Sequence, residues 1–135
     1  MHKYNAKKVI VDSITFDSKA EAEYYEYLKS RDDLMYINTH PSYILQPKYT
    51  TKQWEILQPI KYVGDFEIIY KNGTIEVIDI KWMATPEAKI KRKMFLYTKS
   101  HLKLKWIVKY QWKRVDYFEN EKRKRDNKKR LAIKI

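Results

Sequence analysis

The chain has no cysteine, only two glycines and four prolines in 135 residues, and no run of about 18 apolar residues. The first absence excludes disulfides and thiolate metal sites and fits a reducing cytosol. So few breakers leave little room for linkers, and no internal repeat is evident. The length suits one compact unit large enough for a real core. The opening "MHKYNAKKVIVDS" lacks the apolar stretch of a signal peptide, and nothing is long enough to span a bilayer. The expectation is a soluble cytoplasmic protein with no membrane partner.

What is present is charge of one sign in one half. Hydrophobic residues make up 44% and aromatics 15%, which sets the chain apart from disordered sequences. The formal net charge is +12, unevenly spread: residues 1–80 hold 10 Lys and Arg against 12 Asp and Glu, residues 81–135 hold 19 against 5. A dense basic surface attracts polyanions through counterion release. With 20 aromatics interleaved, and no leucine-faced basic helix to lie on a membrane, nucleic acid is the favoured partner. The plainer alternative is a soluble protein that is simply rich in lysine.

Local patterns give the order of elements. Residues 7–16 read as a short strand or hairpin, and 17–33 as a helix of good helix formers. Residues 41–50 read as an extended segment broken at Pro47. Residues 60–70 and 74–82 read as two strands of a hairpin around Asn72-Gly73. In 85–100, Thr85 caps a helix with Pro86 at its first position and Glu87 in its first turn. Residues 102–110 read as a strand, and the last segment as a strongly charged helix or tail. The sum is a mixed α/β domain with helices flanking a central sheet.

The hairpin "YVGDFEIIYKNGTIEVIDIKW" (62–82) puts Asp65, Asp79 and Lys81 among core-forming residues, where an unpaired charge is costly. The loop decides what they do. A two-residue Asn72-Gly73 turn opposes Asp65 to Ile80 and sends the two aspartates to opposite faces. A three-residue loop, Lys71-Asn72-Gly73 with Gly73 left-handed, opposes Asp65 to Asp79, with Lys81 on their face. In that register two close carboxylates call for a cation, and hard oxygen ligands suit Mg²⁺, with Mn²⁺ as a substitute. Periodicity alone leaves both registers open. Glu21 lies with Tyr24, Tyr25 and Leu28 on the helix face that should meet the sheet. It also completes a capping box with Ser18, which is a sufficient reason for a glutamate there.

Glu on a first helix, then Asp, then Asp-x-Lys on a hairpin resembles the PD-(D/E)XK nuclease superfamily. "HKYNAKK" (2–8), "FDSKAEAEYY" (16–25), "LQP" (45–47), "YVGDF" (62–66), "VIDIK" (77–81) and Thr85 to Lys91 together resemble a small phage-encoded family within it, similar to Holliday-junction resolvases. The resemblance spans about residues 2–100. It implies a restriction-endonuclease-like core over residues 1–112, followed by a basic helix or tail over 113–135. It implies that Glu21, Asp65 and Asp79 bind the metal with the Ile80 carbonyl, and that Lys81 orients or activates water. It also suggests that Gln46 and lysines of the second helix lie near the scissile phosphate. Two positions depart from the pattern: Gly64 precedes the first acid in place of proline, and Trp82 follows the lysine where relatives often have glycine.

The chemistry suits these residues independently. Phosphodiester hydrolysis needs a deprotonated water and neutralisation of a developing charge, which a metal beside a lysine provides. The basic half reads as the DNA-holding surface: Lys89, Lys91, Arg92 and Lys93 on one helix, and Lys122, Arg123, Lys124 and Arg125 in the last segment. None of them reads base sequence, so recognition of backbone and shape is expected. His2, His40 and His101 show no ligand spacing. Trp54, Trp106 and Trp112 read as core or interface residues rather than stacking platforms, though Trp112, beside Lys113 and Arg114, fits either. The expectation is a Mg²⁺-dependent endonuclease on branched DNA, acting in phage recombination or replication, as a homodimer if both strands of a junction are cut. The rivals are a nuclease for ends or flaps and a nucleic-acid binder without chemistry.

Overall fold

The computed structural model describes residues 7–81, 83–110 and 113–133, so His2, Trp82, Trp112 and most of the "HKYNAKK" motif lie outside the described residues. A first hairpin, β1 (Val9–Val11) and β2 (Ile14–Phe16), turns through Asp12 and Ser13, both at positive φ. Helix α1 (Lys19–Ser30) follows, with the Ser18 hydroxyl accepting the Glu21 N–H. Its stripe Glu21, Ala22, Tyr24, Tyr25 and Leu28 is buried, as the helical spacing requires.

The chain then builds β3 (Leu34–Thr39), β4 (Ser42–Gln46), β5 (Tyr49–Thr50), β6 (Ile56–Leu57), β7 (Ile60–Val63), β8 (Phe66–Tyr70) and β9 (Ile75–Ile80). Helix α2 (Pro86–Thr98) leads to β10 (Lys103–Tyr110), β11 (Lys113–Asp116) and α3 (Tyr117–Ile133). Five strands form the main sheet in the order β11-β10-β9-β8-β3. Among the described residues only β9 and β10 run parallel, and α2 is the crossover that parallel neighbours need. This is a mixed α/β fold with a central mixed sheet and three helices.

Alternation along the strands feeds two cores. On one face α1 and the first hairpin pack Phe16, Leu28, Phe66, Ile68, Ile78 and Ile107 together. On the other, Val77 meets Phe95 of α2 with Leu45 and Tyr62 of the β4–β7 ribbon. At α3, the Tyr117 and Phe118 rings lie 5.5 Å from Trp106, and residues 122–133 are exposed.

Three differences from the sequence reading have physical causes. Residues 60–70 are not one strand: β7 pairs with β4 in a separate ribbon, and the chain bends at Gly64 before β8 joins the main sheet. There the Gly64 N–H donates to Pro41 O, and a side chain would meet Val77 Cγ1 at 3.0 Å. The strand at 34–39 has no counterpart in the sequence reading, and its pairing with β8 is bulged between Leu34 and Tyr36. Lys113–Asp116, read with the basic tail, is the edge strand of the main sheet.

Candidate active site

The β8–β9 register settles the turn. Phe66 pairs with Ile78 and Ile69 with Ile75. The Tyr70 N–H donates to Thr74 O and the Gly73 N–H to Tyr70 O, each at 2.9 Å, and Gly73 has φ +90°. The loop is therefore the three-residue one, Lys71 to Gly73, and continuing the register brings Asp65 opposite Asp79.

Asp65 sits just beyond the ladder. Its N–H donates to Ile78 O at 3.1 Å, and its Oδ2 accepts the Ile80 N–H at 2.7 Å. Burial pushes its carboxyl up to about 8, the nearby charges of Asp79 and Glu21 push the same way, and the Ile80 N–H opposes them. Asp65 thus senses a carboxylate from α1 and another from β9. Glu21 is 2% exposed and Asp79 4%. Glu21 also caps, since its Oε2 accepts the Asp17 N–H at 3.2 Å. Capping and placement beside Asp65 are one arrangement, because the first turn of α1 is what meets the sheet.

Asp79 is held from the other side. Its Oδ2 accepts the Tyr62 hydroxyl at 2.5 Å and the Lys81 ammonium at 3.2 Å. The Tyr62 oxygen in turn accepts the Trp106 indole N–H at 2.8 Å. Lys81 Nζ also lies 5.0 Å from the Trp106 ring centroid, a cation–π distance. Burial and the Asp79 charge raise the Tyr62 hydroxyl's pKa, so it remains a neutral donor. Tyr62 and Trp106 are site residues that the sequence does not announce, although Tyr62 stands in the "YVGDF" stretch. Tyr62→Phe strips Asp79 of a donor and leaves a buried indole N–H without its acceptor. A loss of about 1–3 kcal/mol is expected in urea unfolding.

Beside Asp79 a groove of about 310 Å³ is lined by residues that include Lys61, Tyr62, Lys81, Thr85 and Lys91. Thr85 caps α2, its hydroxyl accepting the Ala88 N–H at 3.1 Å. Lys91 pairs with Glu87 at 3.2 Å, while Lys89 and Lys93 are exposed. Arg92 differs from the expectation that grouped it with these lysines. Its guanidinium lies 3.6 Å from the Phe118 ring centroid and 5.9 Å from that of Trp106, which docks α2 onto α3.

Gln46 ends β4, half-buried and paired with Ile60. Ile80 ends β9, and it is its N–H that is tied to Asp65. Lys122, Arg123, Lys124 and Arg125 are exposed on α3, with Lys124 paired to Glu121 at 3.1 Å. Of the three tryptophans read as core or interface, Trp106 is fully buried and Trp54 is 86% exposed.

Among the described residues, no three His, Asp or Glu side chains are arranged as they stand to hold a metal ion. The donors nevertheless fit a hard cation. They are carboxylate oxygens, and a divalent charge would relieve both the burial and the repulsion from Asp79 and Glu21 that raise Asp65. A family model described as a protein of unknown function matches residues 1–114. No curated protein and no solved structure matches the chain.

Proposed function

This chain belongs to that family, DUF1064, and we propose that it is a metal-dependent endodeoxyribonuclease with a restriction-endonuclease-like core. The observation that carries the proposal is Asp65 and Asp79 brought together at the end of the β8–β9 hairpin, with Lys81 on Asp79 and Glu21 near enough to act on Asp65. Carboxylates crowded against one another beside a lysine are hard to explain as packing. They suit Mg²⁺ or Mn²⁺ held by Asp65, Asp79 and Glu21, with the Ile80 carbonyl as the further ligand that the resemblance implies.

When bound, such a cation supplies Lewis acidity and an acidified water. The chain's own residues do the rest. Tyr62 and Lys81 both meet Asp79 Oδ2, which fixes the carboxylate as a ligand. Lys81, steadied against Trp106, offers positive charge to a phosphate oxygen and a donor to the attacking water. Lys61 and Lys91 in the groove, and the exposed Lys89 and Lys93 of the same helix as Lys91, receive the flanking backbone.

The substrate class we favour is branched DNA, such as a recombination junction, cut by a homodimer if both strands are to be cleaved symmetrically. The test is a labelled four-way junction with matched duplex and flap, in Mg²⁺ and in EDTA. Metal-dependent cuts confined to the junction support the reading, and cuts confined to ends or flaps redirect it. A second reading, a binder without chemistry, is favoured by the lack of a ready metal arrangement among the described residues. Binding to every DNA with no cleavage in any metal would establish it.

The exposed basic face of α3 is expected to hold backbone. Replacing Lys122, Arg123, Lys124 and Arg125 with alanine should weaken all DNAs alike. It should also flatten the plot of log affinity against log salt by about 0.9 for each phosphate no longer neutralised.

A further inference from the structure

Beyond β4 and β7 the chain runs out and back as a narrow ribbon. The pairing of Gln46 with Ile60 closes its base, and Tyr49–Leu57 and Thr50–Ile56 continue it to a tip at residues 51–55. At that tip Trp54 is 86% exposed and has φ 65°, a left-handed backbone that disfavours a bulky residue.

The tip is not slack. The Thr51 N–H donates to Glu55 O at 2.9 Å, and the Trp54 N–H to Thr51 O at 3.0 Å. The Thr51 hydroxyl accepts from the Gln53 and Glu55 N–H groups at 3.3 and 3.1 Å. A short tied loop thus holds a large ring in water, in a conformation glycine would adopt more readily. Strain of this kind persists where something is gained from it, and the gain here is not packing.

The surroundings indicate the partner. Lys48 and Lys52 stand on the same outer ribbon, both exposed, as is the single acid there, Glu55, and Lys61 lies further down in the groove beside Asp79. Strand rise of about 3.3 Å per residue puts the tip up to about 25 Å from Tyr62, some seven base-pair steps of duplex. An exposed aromatic face on a ribbon that carries lysines matches a nucleobase flanked by phosphates. An intact duplex offers no free base face, whereas a branch point, nick or end does.

We propose that Trp54 is a stacking wedge, its indole lying on the base exposed where a DNA duplex is interrupted, with Lys48 and Lys52 on the adjoining phosphates. The inference rests on the nucleic-acid part of the proposed function and is independent of its chemistry. It makes the ribbon the element that tells interrupted DNA from continuous DNA.

The test compares wild type, Trp54→Gly and Trp54→Phe in EDTA, by fluorescence anisotropy on a labelled four-way junction and on a continuous duplex of equal length. Glycine suits the tip's φ, so the variant deletes the ring without straining the loop. Trp54→Gly is expected to weaken junction binding about 10- to 100-fold, the range for losing one stacked base, and to leave duplex binding unchanged. Trp54→Phe should keep most of the affinity. A 2-aminopurine at the branch should be quenched by wild type and not by Trp54→Gly.

Equal loss on both DNAs, or loss on neither, overturns the wedge. So does unchanged DNA binding with an altered oligomeric state in sedimentation, which would give the ring to a second copy of the chain. Cleavage in Mg²⁺ is read separately. Trp54-dependent junction binding without cleavage sinks the nuclease reading and leaves the wedge standing, and cleavage by all three proteins without Trp54-dependent binding does the reverse.

Discussion

Asp79→Asn is expected to reduce cleavage about a thousandfold or more while the protein stays folded. Asparagine keeps the shape and an amide oxygen, so the Tyr62 hydroxyl and the Lys81 ammonium retain their acceptor. What goes is the negative charge, and an N–H₂ replaces one of the two carboxylate oxygens. Several kcal/mol of transition-state stabilisation then vanish at about 1.4 kcal/mol per factor of ten. Cleavage of a labelled junction in Mg²⁺ measures the loss, with circular dichroism to check the fold. Glu67→Gln is the control: this carboxylate lies on β8, hydrogen-bonded to Tyr43 and outside the cluster, and its removal should leave the rate within a few-fold. Residual Asp79→Asn activity within tenfold of wild type would mean that the chemistry lies elsewhere.

The second large effect is on stability and its pH dependence. Asp65 has an ordinary value near 3.8 that the folded state pushes up to about 8, through burial and the charges of Asp79 and Glu21. Between those values the folded protein binds the proton that the unfolded chain releases. Stability in EDTA should therefore fall as pH rises from about 4 to about 8, the reverse of an aspartate in a salt bridge. The midpoint of thermal unfolding should drop by several degrees over that range. Millimolar Mg²⁺ or Mn²⁺ should restore it at pH 8 and do little at pH 5, where the proton already fills the cation's role. Asp65→Asn should flatten the metal-free profile and abolish the metal's effect. Lys81 meets the cluster through Asp79, and Tyr62 stays a neutral donor to it throughout the window. A wild-type profile that matches Asp65→Asn would refute the crowding of the carboxylates.

What can be read in the sequence is what is decided locally. Ser18, Thr85 and Pro86 mark helix starts whose partners lie within four residues, and both helices begin there. Asn72-Gly73 marks a turn, yet both loop lengths satisfy the local pattern. Tertiary pairing of β9 with β10 and β8 with β3 accompanies the register that is found. Tyr62 cannot be assigned from its neighbours because its meaning depends on Trp106, 44 residues away. The need for glycine at the bend is equally hidden, since a side chain at 64 would meet Val77 and Pro41, distant in sequence. Reading Trp54 as a core residue follows the general habit of tryptophan and misses a five-residue loop, tied by one threonine, that leaves the ring exposed.

The ribbon has a consequence for how such a chain can change. Gln46 and Ile60 face each other at its base, so residues 47–59 leave and return at the same place. Tyr62 and the carboxylates lie on the near side of that closure. A stretch whose two ends meet can be lengthened, trimmed or exchanged while the rest keeps its spacing. The outer ribbon is thus a replaceable module. Substrate choice, if it lies there, can drift or be redesigned while the acid cluster stays fixed.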